Sequence, residues 1–278
     1  MIIQGMYGLG DNFYQRAIIR NLGECYLYTP WPEVYADLPV KCLKPQTQLR
    51  TQEKNINRGD SGRFHSGALG GRKIRLCYDQ RGTIIEALEQ SIGVKFERLD
   101  LSMPDLKKKR KPKILVRPCV VRSEWPASSR NCNPQYIQQA VDALKDEFTI
   151  VSIADLEPGK EWLEGEEPFA HEKYHAGELS FPDIMTLLNE CAGTIGSVGW
   201  ILPASMAYRV PHLSIFGGWG SANGEQRVFD DRLDSSMVIR AVPDNFCMCS
   251  RHDHKCDKTI SNFGGKIEDF KRLAKSRL

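Results

Sequence analysis

A glycine-rich stretch in the second half of the sequence holds the densest set of groups that could bind a ligand. Residues 192–218 predict a strand, a turn at Gly196-Ser197-Val198-Gly199, a short helix over 200–208, a second strand over 210–216 and a second glycine pair. Amides at the start of a helix that directly follows a strand carry a partial positive charge, which suits a phosphate group. The pattern predicts a phosphate site at Gly199; a turn whose glycines serve only tight packing is the alternative.

Asp11 is the carboxylate best placed for acid–base chemistry. It ends the turn Gly8-Leu9-Gly10-Asp11, which follows a predicted first strand and precedes a helix that runs to about Leu22. The turn is not a dinucleotide fingerprint, whose third glycine would fall on Phe13, and it lacks the Lys-Ser or Lys-Thr of a P-loop. Asp11 could take a proton from an attacking hydroxyl, or it could serve only as a helix cap.

Composition indicates a globular chain in a reducing compartment. Hydrophobic residues make up 41% of the 278 residues and charged residues 26%, and the net charge of +3 is too small to indicate a nucleic-acid partner by itself. No apolar run approaches the ~20 residues of a membrane span, and residues 1–5 predict a buried strand rather than a signal peptide. Nine scattered cysteines, an odd number, suit the cytoplasm better than a disulfide framework.

The first half alternates strands and helices, which is typical of a parallel sheet. Strands are predicted at 1–4, 25–28, 40–43, 74–78 and 96–99, and helices at 11–22, at 31–38 and after a capping box at 83–86. The segment 44–73 interrupts the alternation and is rich in glycine, lysine and arginine. A loop this long is usually functional or disordered. It is either a mobile basic loop that grips an anionic acceptor through Arg58, Arg63 and His65, or a solvated insertion.

The run Lys107 to Lys113, KKKRKPK, predicts a solvated linker between two domains, with nuclear or nucleic-acid targeting as the alternative. The domains are 1–108, on the acceptor side, and 109–278, on the donor side, with a last helix at 267–273 that could pack back on the first domain. Further strands are predicted at 114–121, 148–153 and 237–242, and helices follow the caps Asn133-Pro134 and Ser180. The predicted fold class is α/β, with two Rossmann-like αβ domains facing a central cleft, where ligands bind beyond the carboxyl ends of the strands.

A dense group of thiols and imidazoles follows the last predicted strand, at Cys247, Cys249, His252, His254 and Cys256. Four of them, Cys247, Cys249, His252 and Cys256, are candidate ligands for a tetrahedral zinc ion, although Cys-x-Cys is tighter than the usual ligand spacing. Reduced cysteines in a loop are the alternative.

The order of these motifs resembles the heptosyltransferase-like glycosyltransferases of family 9, which have the two-domain GT-B fold. Gly8-x-Gly10-Asp11, followed by a helix and Thr29-Pro30, resembles the start of that family, and Cys247-x-Cys249 with Cys256 resembles its cysteine-bearing tail. The second half follows the family in order and spacing over 180–191, 196–199, Ala204, Pro211 and 215–217.

The resemblance implies inverting sugar transfer from a nucleotide-diphosphate sugar with no required metal cofactor. Asp11 then matches the proposed base, and Ser197-Val198-Gly199 matches the donor-phosphate turn, where the family's Asp is Ser197 and its His is Leu202. Arg130 lies near the family's phosphate-binding lysine, with Arg117 and Arg122 as alternatives, and Glu157 is a candidate for the ribose. Gly10 is a further donor candidate. Trp200 and Trp219 flank the predicted donor site and could stack on a base or a sugar, or either could equally belong to the core. The sequence has no Asp-x-Asp pair, which argues against a metal-dependent glycosyltransferase.

The sequence therefore predicts a cytoplasmic glycosyltransferase of a bacterial cell or a phage-infected host, without a transmembrane segment. The acceptor is an anionic glycan of the lipopolysaccharide type or, alternatively, a modified base in phage DNA. A nucleotide-sugar-binding protein without catalysis is the third possibility.

Overall fold

The computed structural model describes residues 1–59, 61–67, 70–78 and 82–278. Contacts between residues divide the chain into two compact units. The first unit comprises Met1–Pro104 and Gln226–Asp234, and the second comprises Asp105–Glu225 and Ser235–Leu278. Residues 226–234 thus belong to the first unit, whereas the last helix belongs to the second unit.

The first unit contains a four-stranded parallel sheet in the order β3-β2-β1-β4. Its elements in chain order are β1 (Ile2–Gln4), α1 (Leu9–Leu22), β2 (Cys25–Tyr28), β3 (Val40–Leu43), α2 (Arg50–Arg58), β4 (Lys73–Arg75) and α3 (Ile84–Ile92). The predicted bounds of β2 and β3 are confirmed. The predicted capping box is also present, because Thr83 accepts from the amide of Glu86 while the Glu86 carboxylate accepts from the amide of Thr83.

Three predictions for the first unit are wrong in detail. The segment 44–73 contains α2 and a 3-10 turn at Ser61–Arg63, although positions 60, 68 and 69 lie outside the described residues. The predicted helix at 31–38 is a 3-10 turn at Pro32–Tyr35. No strand forms at 96–99 among the described residues; there the amide of Phe96 instead donates to the side chain of Glu89.

Polar side chains anchor the segment 226–234 in the first unit. The hydroxyl of Tyr14 donates to the carbonyl of Val228 at 2.9 Å, and the hydroxyl of Thr83 donates to Asp230 at 2.8 Å. The guanidinium of Arg232 pairs with both Asp230 and Glu89. These bonds satisfy polar groups that are buried or partly buried. Because the spacing of apolar residues carries no information on such polar contacts, the sequence did not predict them.

The second unit contains a six-stranded parallel sheet in the order β12-β11-β10-β5-β7-β9 and a small antiparallel pair, β6-β8. Its elements are β5 (Lys113–Arg117), β6 (Val120–Arg122), α4 (Pro134–Asp142), β7 (Thr149–Ile153), β8 (Glu161–Leu163), β9 (Glu172–Tyr174), α5 (Phe181–Glu190), β10 (Gly193–Ser197), α6 (Ile201–Ala207), β11 (His212–Ile215), α7 (Gly220–Asn223), β12 (Val238–Ala241) and α9 (Phe263–Ser276). Helix α8 (Glu225–Val228) begins at Glu225 of the second unit and continues into the segment of the first unit that starts at Gln226. The predicted strand 114–121 is divided at Pro118-Cys119, because proline has no amide hydrogen to donate to a ladder.

The last helix belongs to the core of the second unit. Phe263, Ile267, Phe270 and Ala274 of α9 are buried in one apolar cluster with residues of β5, β10 and β11. Phe270 packs directly on Gly193, where an added Cβ would lie 2.7 Å from the ring. The last helix is therefore a part of the second unit. Within the described part of the chain, no helix has both the length and the apolar character needed to cross a membrane.

Candidate active site

The candidate donor residues of the second unit meet at the carboxyl ends of its parallel strands. Gly196 pairs with Arg117 in the register of β10 and β5, and Ser197 pairs with Ile215 in the register of β10 and β11. The turns after β5, β10 and β11 therefore leave the sheet at the same edge. This edge is where ligands bind in open parallel sheets.

The side chain of Ser197 connects two loops at this edge of the sheet. Its hydroxyl accepts a 2.9 Å hydrogen bond from the amide of Cys132 and lies 3.6 Å from the thiol of Cys119. The two thiols lie 3.5 Å apart, and the bond from Cys132 lowers the pKa of Cys119, whereas burial raises the pKa of Cys132. Ser197 thus fixes the turn after β10 to the loop before α4, and Val198 behind it is buried.

Two of the three candidate arginines share one buried carboxylate. Glu161 is 1% exposed and accepts from Arg117 at 2.7 Å and from Arg122 at 2.8 Å. Arg117 also donates to the carbonyl of Ile153 at 3.0 Å. Glu161 therefore brings the two guanidinium groups together at this edge. Arg130, the third candidate, ends the 3-10 turn Ser128–Arg130.

Glycines at this edge differ in what they accommodate. A Cβ at Gly217 would lie 2.1 Å from the carbonyl oxygen of Asn131, and a Cβ at Gly218 would lie 2.1 Å from the thiol of Cys256, so the fold itself requires both. A Cβ at Gly199 would meet no atom closer than 3.8 Å. Packing therefore explains Gly217 and Gly218 but not Gly199.

The remaining donor candidates are Glu157 and Trp200. Glu157 follows β7, bridges to Glu161 through paired backbone hydrogen bonds and forms an ion pair with Lys160 at 2.5 Å. Trp200 is the residue before α6 and is half-buried. Because α6 has only seven residues, its dipole is short.

In the first unit, Asp11 lies in the first turn of α1 at the carboxyl end of β1. The residue that caps α1 is Gly8, so Asp11 is not the N-cap that sequence reasoning offered as the alternative to a base. The hydroxyl of Tyr78 donates to Asp11 Oδ1 at 2.6 Å. Gly10 lies beside Asp11 in the same turn of helix.

A buried polar network holds the turn that carries Asp11. Asn12 donates to the carbonyls of Met6 and Gly8 at 2.9 and 2.8 Å, and its own side-chain oxygen accepts from Thr29 at 2.6 Å. Gln15 donates to Asn12 and to Tyr35, both at 2.8 Å. Asn12 and Gln15 are fully buried, so this network specifies one conformation of the turn.

The three acceptor candidates belong to different parts of the first unit, namely the end of α2, the 3-10 turn Ser61–Arg63 and the segment that follows this turn. Arg63 forms an ion pair with Glu33 and donates to the carbonyl of Asn55 at 2.7 Å. Its guanidinium therefore connects α2 with the 3-10 turn Pro32–Tyr35. The ring of His65 lies 5.2 Å from that of Tyr26. Arg58 is exposed at the end of α2.

The Cys/His cluster differs from the prediction in one ligand. Cys247, Cys249, His254 and Cys256 place their donor atoms within 4.8 Å of one another, so His254 takes the place predicted for His252. The ring of His252 instead contacts that of Trp219, at 6.5 Å between centroids. Tetrahedral ligands at ~2.3 Å from a metal lie about 3.8 Å apart, and three thiols with one imidazole suit zinc or iron. The residues present therefore fit such an ion.

Sequence reasoning missed Glu161, Tyr78 and the network around Asn12. None of them stands in a glycine-rich or cysteine-rich motif. Glu161 and Tyr78 reach the candidate residues from strands or loops that are distant in sequence, by 44 residues for Arg117 and 67 for Asp11.

No protein-family model and no curated protein sequence matches the chain. Solved structures match its fold. The dodecameric iron-containing heptosyltransferase TibC of enterotoxigenic Escherichia coli, in complex with ADP-D-β-D-heptose, is 14% identical with a TM-score of 0.58, and the match covers 100% of this chain and 76% of that one.

Two further structures are similar over their full length. A family 9 glycosyltransferase from Veillonella parvula is 12% identical with a TM-score of 0.54, over 99% of this chain and 97% of that one. An Escherichia coli heptosyltransferase with ADP is 10% identical with a TM-score of 0.53, over 98% of each chain. This similarity confirms the predicted fold class, with α/β units of the GT-B type as in heptosyltransferases.

Proposed function

We propose that this protein is an inverting glycosyltransferase that moves a sugar from a nucleotide-diphosphate sugar to an acceptor hydroxyl. The observation that carries the proposal is the match of the whole chain to sugar transferases, one bound to ADP-heptose and one to ADP. The strand ends add support, because they present a carboxylate, Asp11, in the first unit and two neighbouring guanidinium groups, those of Arg117 and Arg122, in the second. In this proposal residues 1–108 serve the acceptor and residues 109–278 serve the donor.

The proposed reaction is a single displacement. Asp11 accepts the proton of the acceptor hydroxyl while the hydroxyl oxygen bonds to the anomeric carbon of the donor. The bond from that carbon to the diphosphate oxygen breaks, and the electron pair leaves with the nucleoside diphosphate. Arg117 and Arg122 stabilise the negative charge of this leaving group, without a metal at the reacting atoms.

Other residues bind the donor without taking part in bond changes. Amides of 197–199 bind the diphosphate, and the open space in front of Gly199 admits it. Arg130 adds a third cation, Glu157 binds the ribose, and Trp200 borders the site. Gly10 lets a ligand approach the backbone beside Asp11.

The acceptor in this proposal is an anionic glycan of the lipopolysaccharide type, met by Arg58 and His65 in the cytoplasm of a bacterial cell or phage-infected host. A modified base in duplex DNA is the competing acceptor. Phosphate contacts would make the binding of duplex DNA weaken steeply between about 50 and 200 mM salt, so strongly salt-sensitive binding of duplex DNA would favour this acceptor.

We further infer that Cys247, Cys249, His254 and Cys256 hold one zinc or iron ion with a structural role. Their loop supports the turns of the donor edge, since the amide of Gly220 donates to the carbonyl of Cys247 at 3.0 Å and that of Ser129 to the carbonyl of His252 at 3.0 Å. A bound ion would fix this loop and, through it, the turn after β11. It would supply no Lewis acid to the reaction.

The experiment that tests the proposed function measures nucleoside diphosphate released from ADP-, UDP- and GDP-linked sugars by the purified protein, with and without added lipopolysaccharide core glycan or duplex DNA. Release from at least one donor is expected, with stimulation by one acceptor. Binding of nucleotides with no release from any donor would favour the catalytically inactive alternative, and no binding at all would overturn the proposal.

A further inference from the structure

An exposed and a half-buried tryptophan form an aromatic pair beside the donor edge of the second unit. Trp219 lies four residues after the end of β11, and Trp125 lies in the turn after β6. Their ring centroids are 6.3 Å apart with the planes inclined by 40°. Trp125 is 56% exposed, more than any other tryptophan among the described residues, whereas Trp219 is half-buried.

The backbone holds Trp219 in a conformation that disfavours large side chains. Its φ of 55° and ψ of 45° lie in the left-handed region, although glycines flank it on both sides. The amide of Gly218 donates to Ser129 and the amide of Gly220 donates to Cys247, and these two bonds fix the strained residue. Trp219 is half-buried and is not one of the buried core residues, and its ring contacts those of Trp125 and His252. Strain of this kind concentrates at ligand sites.

Trp125 is equally well fixed. Its amide donates to the carbonyl of Arg122 at 3.1 Å, and its carbonyl accepts from the amide of Ala127 at 2.8 Å. The main chain around this exposed ring is therefore ordered before any ligand binds. A rigid pair of large rings offers stacking surface at little cost in conformational entropy.

The strand order indicates which part of a donor reaches this surface. In the order β11-β10-β5-β7, Trp219 follows β11, the turn 197–199 follows β10, Arg117 ends β5 and Glu157 follows β7. A nucleotide sugar is a linear array of nucleoside, diphosphate and sugar. With the ribose at Glu157 and the diphosphate at the turn after β10, the sugar lies on the β11 side.

We propose that Trp125 and Trp219 form a stacking site for the sugar ring of the donor, an inference that rests on the proposed function. One face of a pyranose ring carries mainly C–H bonds and stacks on indole, while its hydroxyls remain free for hydrogen bonds. Bases also stack on tryptophan, but a base at this surface would reverse the donor along the sheet edge.

The test measures dissociation constants by calorimetry for three matched pairs: ADP and ADP-glucose, UDP and UDP-glucose, and GDP and GDP-mannose. For each protein variant, the dissociation constant of the nucleotide is divided by that of the matching sugar nucleotide. This ratio isolates the contribution of the sugar to binding. Trp125→Ala is expected to lower this ratio at least fivefold and to leave the nucleotide's own constant within twofold. Trp162→Ala, which removes another exposed tryptophan (46% exposed), is the control and is expected to change neither.

A ratio unchanged in Trp125→Ala would overturn the stacking site while leaving the proposed function intact. Equal weakening of nucleotide and sugar nucleotide would show that the base stacks there, which also overturns it. Binding of no nucleotide to the unaltered protein would instead defeat the proposed function, and the stacking site with it. Trp219→Phe, which keeps an aromatic ring, is expected to retain most of the ratio, so a loss there equal to that in Trp125→Ala would contradict stacking.

Discussion

The hydroxyl of Tyr78 donates a 2.6 Å hydrogen bond to Oδ1 of Asp11. Burial, together with the negative charge of Asp11, raises the pKa of Tyr78 well above its usual value, so the phenol remains a donor at neutral pH. A donor to a carboxylate favours its charged form and orients it. The pair therefore explains how a carboxylate in the first turn of a helix keeps one orientation.

Tyr78→Phe is expected to lower kcat about tenfold with little change in the KM of the donor. Because the lost bond stabilised the charged carboxylate, the pKa of Asp11 rises, and the acid limb of the pH–rate profile moves to higher pH. Tyr14→Phe is the matched control, since the Tyr14 hydroxyl donates to the carbonyl of Val228. An unmoved acid limb in Tyr78→Phe would contradict the positioning role.

Glu161→Gln is expected to destabilise the second unit by about 3 kcal/mol, since it leaves two guanidinium groups without their buried counter-charge. Urea denaturation followed by tryptophan fluorescence measures the loss. Glu172→Gln is the control because its partner, Lys113, is at the surface, and a loss under about 1 kcal/mol is expected there. Equal losses in the two variants would show that Glu161 does not organise the arginines.

His212 makes the second unit sensitive to acid. Burial lowers its pKa to about 3 from the ordinary 6.5. The unfolded chain therefore binds a proton that the folded chain does not, as pH falls from 6.5 towards 3. The contribution of neutral His212 to the free energy of unfolding is therefore fully present above about pH 6.5. At pH 5 the free energy of unfolding should be about 2 kcal/mol lower than at pH 7.5 because of this one group.

Urea denaturation at both pH values checks this expectation in the protein and in His212→Asn. Asparagine can keep a hydrogen bond to Thr194, which lies 2.8 Å from the ring nitrogen of His212, but it does not titrate. The loss of stability at pH 5 should therefore be smaller in the variant by about 2 kcal/mol. The same loss in both proteins would assign the acid sensitivity to other groups.

Removal of the metal is expected to lower the Tm of the purified protein, with one zinc or iron per chain found by elemental analysis before removal. Cys256→Ser should abolish metal retention, because it removes one of the four clustered ligands. Cys77→Ser replaces an exposed thiol outside the cluster and should retain the metal. Full retention in Cys256→Ser would refute the metal site.

Local signals predicted much of the fold. The bounds of β2 and β3, the capping box of α3, and the Asn133 and Ser180 caps of α4 and α5 all follow from apolar runs and turn chemistry within a few residues. Helix α2 was missed because the side chains that it buries include Gln52 and Asn55, so it has no apolar stripe. Its core face is polar, and apolar periodicity does not reveal such a helix.

The candidate site was less predictable, since its contacts join distant parts of the chain. The spacing in the sequence predicted the three cysteines of the candidate metal cluster. It did not predict whether His252 or His254 lies beside them, because the backbone of the loop determines this. Likewise, the arginines after β5 are evident in the sequence, whereas their partner Glu161 is an ordinary acidic residue until the β6-β8 pair brings it to them.

The most direct test of sugar transfer with Asp11 as base is the turnover of Asp11→Asn, which keeps the size of the side chain and removes its basicity. With the donor and acceptor that support release by the unaltered protein, we expect kcat to fall by at least about 100-fold. The dissociation constant of the nucleoside diphosphate should stay within twofold, because all of the proposed donor residues except Gly10 belong to the second unit. Turnover within a few-fold of the unaltered protein would contradict the account.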